Sequence, residues 1–526
     1  MSKVLLGQSY ILRFDPKLWE AKQPYPPLGT LYAASYLQKK GYDVALFDAV
    51  LAKSEADWAD ALDREQPHFA VIYEDNFNYL SKMCLLRMRH AALVMIDMAR
   101  ARGCTVIVGG SDATDHADIY LARGADYVLI GEGEQTLGDL LDRLAGRSEL
   151  PFDQIQGLAF REEEAKDKSP HCTPRRPYLD DLDGLPFPAW DLVDIPRYAR
   201  IWRRRHGYYS MNIVTTRGCP YHCNWCAKPI WGQHYSVRSP ENVIEELGQL
   251  RARYGPDHIW FVDDIFGLER GWCSRFAELV QAQNVRLPFK CLSRADLLLR
   301  EGEIEALQRA GCQIVWLGAE SGSQKILDAM EKGTTVAQIY QTASRLHAAG
   351  IQVGFFIQFG YPGETRQDIE ATMQMIRDCA PNDIGVSVTY PLPGTPLYAH
   401  VQEQLGARRN WTDSMDLAML YHGPFRTAFY RQLHKVLHKE FRARIHWAAL
   451  REAAALSARL NRSHLRRAAS LVYHGLTLPW ARWRLNWLGR KPSPDAMTPP
   501  PRRDHRAEVN PSTGPIENRE RFQCQS

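Results

Sequence analysis

Cys219, Cys223 and Cys226 stand in the run Thr216-Arg217-Gly218-Cys219-Pro220-Tyr221-His222-Cys223-Asn224-Trp225-Cys226. Cysteine thiolate is the usual protein donor to iron–sulfur clusters. Three thiolates at C-x3-C-x2-C spacing can cap three irons of a [4Fe–4S] cubane and leave the fourth without a protein ligand. The three are therefore read as metal ligands and as the catalytic centre. Zinc is the alternative: it also takes closely spaced cysteines but completes a tetrahedral set, with His222 or a distant residue as fourth ligand. Unligated structural cysteines are the remaining reading. His222 is otherwise a loop residue, and Trp225 either shields one side of a cluster or simply packs.

Such a loop needs a rigid element beneath it. The β-branched segment 211–216 leads into the motif. Strand-like runs recur at 258–262, 289–292, 313–318, 352–358 and 385–390, with helical stretches between them. These alternating units predict a partial (β/α)6 barrel over about 206–400. Barrel active sites gather at the C-terminal ends of strands, here by analogy with the full eightfold barrel. Polar residues fall at those ends: Asp263-Asp264, Ser293-Arg294, Glu320-Ser321-Gly322, Gln358 with Gly360, and the run Tyr390 to Thr395.

Upstream, residues 1–145 alternate short apolar strands (3–7, 42–47, 69–73, 105–108, 127–130) with helical stretches. That pattern predicts an α/β, Rossmann-like domain with a parallel sheet covered on both faces. Ligands of such sheets bind outside the strand C-termini. Gly109-Gly110-Ser111 and Gly131-Glu132-Gly133-Glu134 fall there, as tight turns or as a nucleotide-type site. No G-x-G-x-x-G or P-loop occurs, so NAD and ATP are poorly supported.

This first region resembles the cobalamin-binding domain that precedes many radical S-adenosylmethionine (SAM) domains. The likeness rests on PPLG at 26–29, GYDV at 41–44, Gly109-Gly110 and ADYVLIGEGEQT at 125–136. It implies cobalamin contacts at Gly109, Gly110, Ser111, Gly131 and Gly133, with the nucleotide tail entering near the fourth and fifth strands. The D-x-H-x-x-G pattern that offers a lower axial histidine is absent, so cobalt would lack that ligand. Glu74, Asp75 and Asn76 can face the corrin, while Asp75 or Asn76 can instead serve as an ordinary helix cap.

The central region resembles the group containing the anaerobic Mg-protoporphyrin ester cyclase and many cobalamin-dependent radical SAM methylases. CLSRADLL at 291–298, GCQIVWLGAESGSQKILDAMEKG at 311–333 and GYPGET at 360–365 carry this likeness, which spans about residues 1–400. It implies SAM bound at the open iron and cleaved by one electron to a 5′-deoxyadenosyl radical. Trp225 would shield the cluster, Asp263 and Asp264 would lie near the SAM amino group, Arg294 would neutralise its carboxylate, Glu320 would contact the ribose or amino end, and Gln358 would line the site. A surface ion pair with Asp296 is the other reading of Arg294. The reaction implied is methyl transfer to an unactivated carbon of a small organic substrate; cyclisation, rearrangement or oxidation without methyl transfer is the alternative, and an RNA- or peptide-modifying enzyme a further one. An external donor such as flavodoxin or ferredoxin would supply the electron.

Residues 146–205 read as a linker, broken by Pro186, Pro188 and Pro196. Its LPFPAWDL run (185–192) resembles the superfamily's lead-in and is read as packing. Residues 401–489 read as a helical, basic C-terminal region: from Arg431 to Arg467 ten Lys/Arg face two glutamates. Within it, 471–489 interleaves aromatics with arginine. That segment can lie on a membrane surface, but capping the barrel with its aromatics buried is the preferred reading. Residues 490–526 read as a disordered tail, with Cys524 incidental.

The bulk composition sets limits. A formal charge of +4 over 526 residues is too small to argue for a nucleic-acid partner. The N-terminus runs straight into a strand, so no signal peptide is expected. No uncharged apolar run is long enough to span a membrane. The 11 cysteines do not form the framework of a small secreted protein, and a reducing cytoplasm is the expected compartment.

Overall fold

The computed structural model describes residues 3–162, 169–226, 230–406, 409–414, 417–455, 462–490, 493 and 497–500. The disorder expected for 490–526 therefore falls mostly outside the described residues, as does Cys524.

Two sheets organise the chain. The first contains β1 (Lys3–Gly7), β2 (Asp43–Phe47), β3 (Phe69–Tyr73), β4 (Thr105–Gly109), β5 (Tyr127–Leu129), β6 (Leu158–Phe160) and β7 (His171–Cys172), in spatial order β2-β1-β3-β4-β5-β6-β7. The first five run parallel; β6 and β7 are antiparallel additions. Helices cover both faces, so β3 is buried along its whole length. The order reverses between β1 and β3, which places a ligand crevice outside their carboxyl ends.

The second sheet contains β8 (Ser210–Ile213), β11 (His258–Phe261), β12 (Phe289–Ser293), β13 (Cys312–Glu320), β14 (Gln352–Phe359) and β15 (Asp383–Val388), parallel and side by side in chain order. Between β8 and β11, β9 (Thr216–Gly218) and β10 (Tyr235–Val237) form a separate antiparallel pair. The single strand expected over 211–216 is thus two. The cause is local: Asp263 takes the N–H groups of Thr215 and Thr216, turning the chain out of the large sheet. The last strand lies two residues earlier than expected, because Tyr390-Pro391 begins the loop that leaves the sheet.

The stretch read as a linker does more than connect. Besides β6 and β7 it forms the helix Ile195–His206, with Asp194 as N-cap and Pro196 in its first turn. That helix packs between the two units. Tyr198 Oη donates to Asp48 at 2.8 Å, and Trp202 Nε1 to the Pro24 carbonyl at 2.7 Å.

Toward the C-terminus, helices Thr427–Ala455 and Arg462–Gly489 pair side by side. Glu440 ties them together and to helix Arg366–Cys379, accepting from Arg482 and Arg377. The aromatics of 471–489 are not buried, contrary to the capping reading. Trp480, Trp483 and Trp487 are 60%, 62% and 57% exposed, while His474, Ala481 and Leu485 make the packed face. Among the described residues no helix is long and apolar enough to cross a membrane.

Candidate functional site

The three cysteines sit on the loop that leaves β9, half-buried and without disulfides. Gly218 turns the chain into this loop with φ +74°, and a Cβ there would stand 2.2 Å from the His234 carbonyl oxygen. Only glycine fits. Asn224, between the second and third cysteines, is fully engaged. Its N–H donates to Met330 O (3.1 Å), its Nδ2 to Ala329 O (2.8 Å), its Oδ1 accepts from Tyr361 Oη (2.9 Å), and its carbonyl accepts from Leu397 N–H (3.0 Å). Trp225 packs beside the apolar group of Ile326, Met330, Tyr361 and Leu397. Among the described residues no three of His, Cys, Asp and Glu gather tightly enough to hold a single ion.

Around this loop lie the strand ends. Glu320 ends β13 in a left-handed conformation, φ +56°, where the register with β14 shifts between Gly318 and Glu320. The bulge turns its carboxylate onto Lys332, whose Nζ is 3.0 Å away; both are buried. Burial opposes the Lys332 charge, but Glu320 and Cys223 outweigh it and raise the lysine's pKa. Non-glycine residues held at positive φ cluster at functional sites. Arg294 is likewise buried, forked onto Asp296 at 2.9 and 3.2 Å, donating to Lys332 O at 2.9 Å and lying 3.6 Å over the Tyr221 ring. The Asp296 pair is therefore present, with Arg294 buried and Asp296 partly exposed.

Asp263 and Asp264 diverge. Asp263 accepts four hydrogen bonds of 2.6–3.0 Å from the N–H and hydroxyl groups of Thr215 and Thr216. Burial still pushes its pKa up to about 6. Its observed role is to set the turn before the cysteine motif. Asp264 faces the first unit and pairs with Lys82 at 2.6 Å. Gln358, at the end of β14, is buried with an Oε1 that meets no partner among the described residues.

In the first unit the glycines answer to neighbouring side chains. A Cβ at Gly110 (φ +143°) would lie 2.6 Å from Glu74 Cβ, one at Gly131 2.8 Å from Arg175 Nε, and one at Gly133 2.7 Å from the Tyr73 ring, whose same edge also faces Gly109. Across the β1/β3 crevice, Glu74 accepts from Ser9 N–H at 3.1 Å, and Asp75 from Gly29 and Phe77 N–H at 2.9 and 3.2 Å. Burial raises Glu74 to about 7 and Asp75 to about 6. Asp75 does serve a helix end, taking the Gly29 N–H in the first turn of Leu28–Lys39, while Asn78 caps Tyr79–Lys82. Ser111 Oγ and Asn76 Oδ1 are buried without a partner among the described residues.

The two units meet in a buried ion triad that sequence reasoning missed. Arg217, immediately before Gly218-Cys219, donates to Glu132 at 2.9 Å and to Glu134 at 2.8 Å. Burial opposes its charge, but the two carboxylates hold its pKa above normal. The Glu-x-Glu of the GEGE turn was read for its glycines; its charges were the signal. Lys332, Asn224 and Tyr361 were also missed.

The donors present fit the groups that the motifs imply. Three thiols share one braced loop, unpartnered acceptors lie buried at Gln358 and beside Gly110, and fixed cations stand near Cys223.

The comparisons agree with this geometry. Residues 213–376 match the radical SAM superfamily and residues 18–141 the B12 binding domain. The chain thus carries a radical SAM domain preceded by a cobalamin-binding domain, the arrangement of a family of cobalamin-dependent radical SAM methylases and cyclases. It is 27% identical to an uncharacterized methyltransferase of Pyrococcus horikoshii, over 73% of this chain and 81% of that protein. It is 26% identical to the hopanoid C-3 methylase of Methylococcus capsulatus, over 81% and 78%. A solved structure of the cobalamin-dependent S-adenosylmethionine radical enzyme OxsB with aqua-cobalamin bound shares the fold, with TM-score 0.69 at 16% identity over 93% of this chain and 72% of that one.

Proposed function

We propose that the protein is a cobalamin-dependent radical SAM methyltransferase acting on an unactivated carbon of a small organic substrate. The observation that carries this reading is the Arg217–Glu132–Glu134 triad, which fastens the cysteine loop directly to the strand-end loop of the cobalamin-binding unit. Two cofactor sites joined by one buried ion cluster suit a reaction that uses both in one turnover. When bound, the [4Fe–4S] cluster, SAM and cobalamin supply the electron, the radical and the methyl group.

The chain's own residues take the remaining roles. Cys219, Cys223 and Cys226 hold the cluster. Glu320, paired with Lys332, and Gln358 bind the polar end of SAM. Arg294 has its fork on Asp296 and contributes positive potential, while Asp263 positions the loop. Gly110, Ser111 and Asn76 line the corrin's tail. An electron donor of the flavodoxin or ferredoxin type completes the system.

The test is anaerobic turnover of the reconstituted protein with methylcobalamin, reductant, methyl-labelled SAM and extract of the native cell. Deoxyadenosine together with a labelled small molecule is the expected outcome. An altered but unlabelled product would replace methyl transfer by cyclisation or rearrangement. Cys219→Ala, Cys223→Ala and Cys226→Ala are each expected to lose cluster absorbance and deoxyadenosine formation while still binding cobalamin.

A further inference from the structure

Helix Arg462–Gly489 is apolar on two opposite sides. At about 100° per residue, His474, Ala481 and Leu485 point one way, and these are the residues buried against the neighbouring helix. Leu465, Val472, Leu476, Trp480, Trp483 and Trp487 fall within about 80° of arc on the other side. Every one of these six is more than half exposed, from 57% at Trp487 to 77% at Leu476. A stripe of large apolar side chains, three of them tryptophan, is far from what an ordinary solvated helix face carries.

The charge on the helix is one-sided as well. It holds five arginines and no carboxylate. Arg466 and Arg484 run along one edge of the stripe, and the Arg484 guanidinium lies 5.7 Å from the Trp480 ring. Glu440, on the packed side, is taken up by Arg377 and Arg482. Tryptophan favours the boundary between acyl chains and headgroups, since its ring is apolar and its N–H polar. Arginine beside it meets phosphate. The helix is too polar to cross a bilayer, so its fitting position is in the plane of the interface.

We propose that this face docks the protein on a bilayer surface bearing anionic headgroups, with Trp480, Trp483 and Trp487 inserted and the arginines on lipid phosphates. The inference is independent of which reaction the enzyme performs. It also accounts for a helix that keeps its largest side chains turned away from the protein.

The experiment uses the full chain, sedimented with vesicles of phosphatidylcholine alone or mixed with phosphatidylglycerol. Binding to the mixed vesicles, weakened by salt and much lower on the neutral ones, is expected. The triple variant Trp480→Ser, Trp483→Ser, Trp487→Ser is expected to bind at least about tenfold more weakly, and Arg484→Ser about fivefold more weakly. Should the triple variant misfold, quenching of wild-type tryptophan fluorescence by lipids brominated near the headgroup replaces it, and no quenching would overturn the proposal. So would an absence of binding to anionic vesicles at low salt, or equal binding by the triple variant. A wild-type dimer that the triple variant makes monomeric, without vesicle binding, would assign the face to a second copy of the chain. Retention of RNA but not of vesicles would assign it to nucleic acid.

Discussion

Carboxylates are buried at the strand ends of both sheets, yet they meet different neighbours. After β3, Glu74 and Asp75 take backbone N–H groups and form no ion pair among the described residues, and burial raises them to about 7 and about 6. After β13, Glu320 meets the Lys332 ammonium at 3.0 Å. In the first crevice burial thus favours the neutral form of both carboxyls. The second offers fixed ion pairs, which suit a zwitterion. Solvation cost drives the difference: a buried carboxylate without a counter-charge gives up its charge.

Between these regions stands Arg217, and its loss is the largest effect expected. Arg217→Met leaves Glu132 and Glu134 buried without a cation, which is expected to cost about 3–5 kcal/mol in denaturant unfolding and to lower cluster content after reconstitution. Lys332→Met does the same to Glu320 alone. It is expected to cost about 3 kcal/mol, much of it recovered in the double variant Lys332→Met, Glu320→Gln, which a double-mutant cycle measures.

Glu74 offers a test by pH. Its folded pKa lies above its unfolded value, so its stabilisation is complete below about pH 4.5 and is lost as the pH rises through about 7. At most about 3 kcal/mol follows over that window. Glu74→Gln is expected to flatten this part of the stability profile of the cofactor-free protein; an unchanged slope would erase the contrast between the two crevices. The smallest effect belongs to Ser111→Ala. Its hydroxyl has no hydrogen-bond partner among the described residues, so stability is expected to shift by less than about 0.5 kcal/mol, while aquocobalamin titration followed in the visible is expected to show binding weakened by up to about tenfold.

The sequence made the scaffold legible because period and order survive in one dimension. The five parallel strands of the first sheet and the six of the second could be read from apolar runs between helical stretches. The cysteine loop was legible because its chemistry is contiguous. Pairings across the fold were hidden. Nothing near Arg217 announces Glu132 and Glu134, some 85 positions away, and nothing near Asp263 announces the turn at Thr215. The strands β6 and β7 were missed because two or three residues in a proline-rich stretch carry no periodicity. The outward tryptophans were assigned to the interior because hydrophobicity gives a helix its apolar sides without saying which of two will find a neighbour.

The bracing of the cysteine loop bears on how its metal arrives. Arg217 anchors one end to the first unit, and Asn224 fastens the middle at four points to residues from three other segments. The chain entropy of closing this loop is thus given up when the protein folds, not when iron enters. A zinc finger, by contrast, orders around its ion. Cluster assembly in such a loop would be insertion into a largely formed socket, so the protein is expected to keep its fold when a cluster is lost.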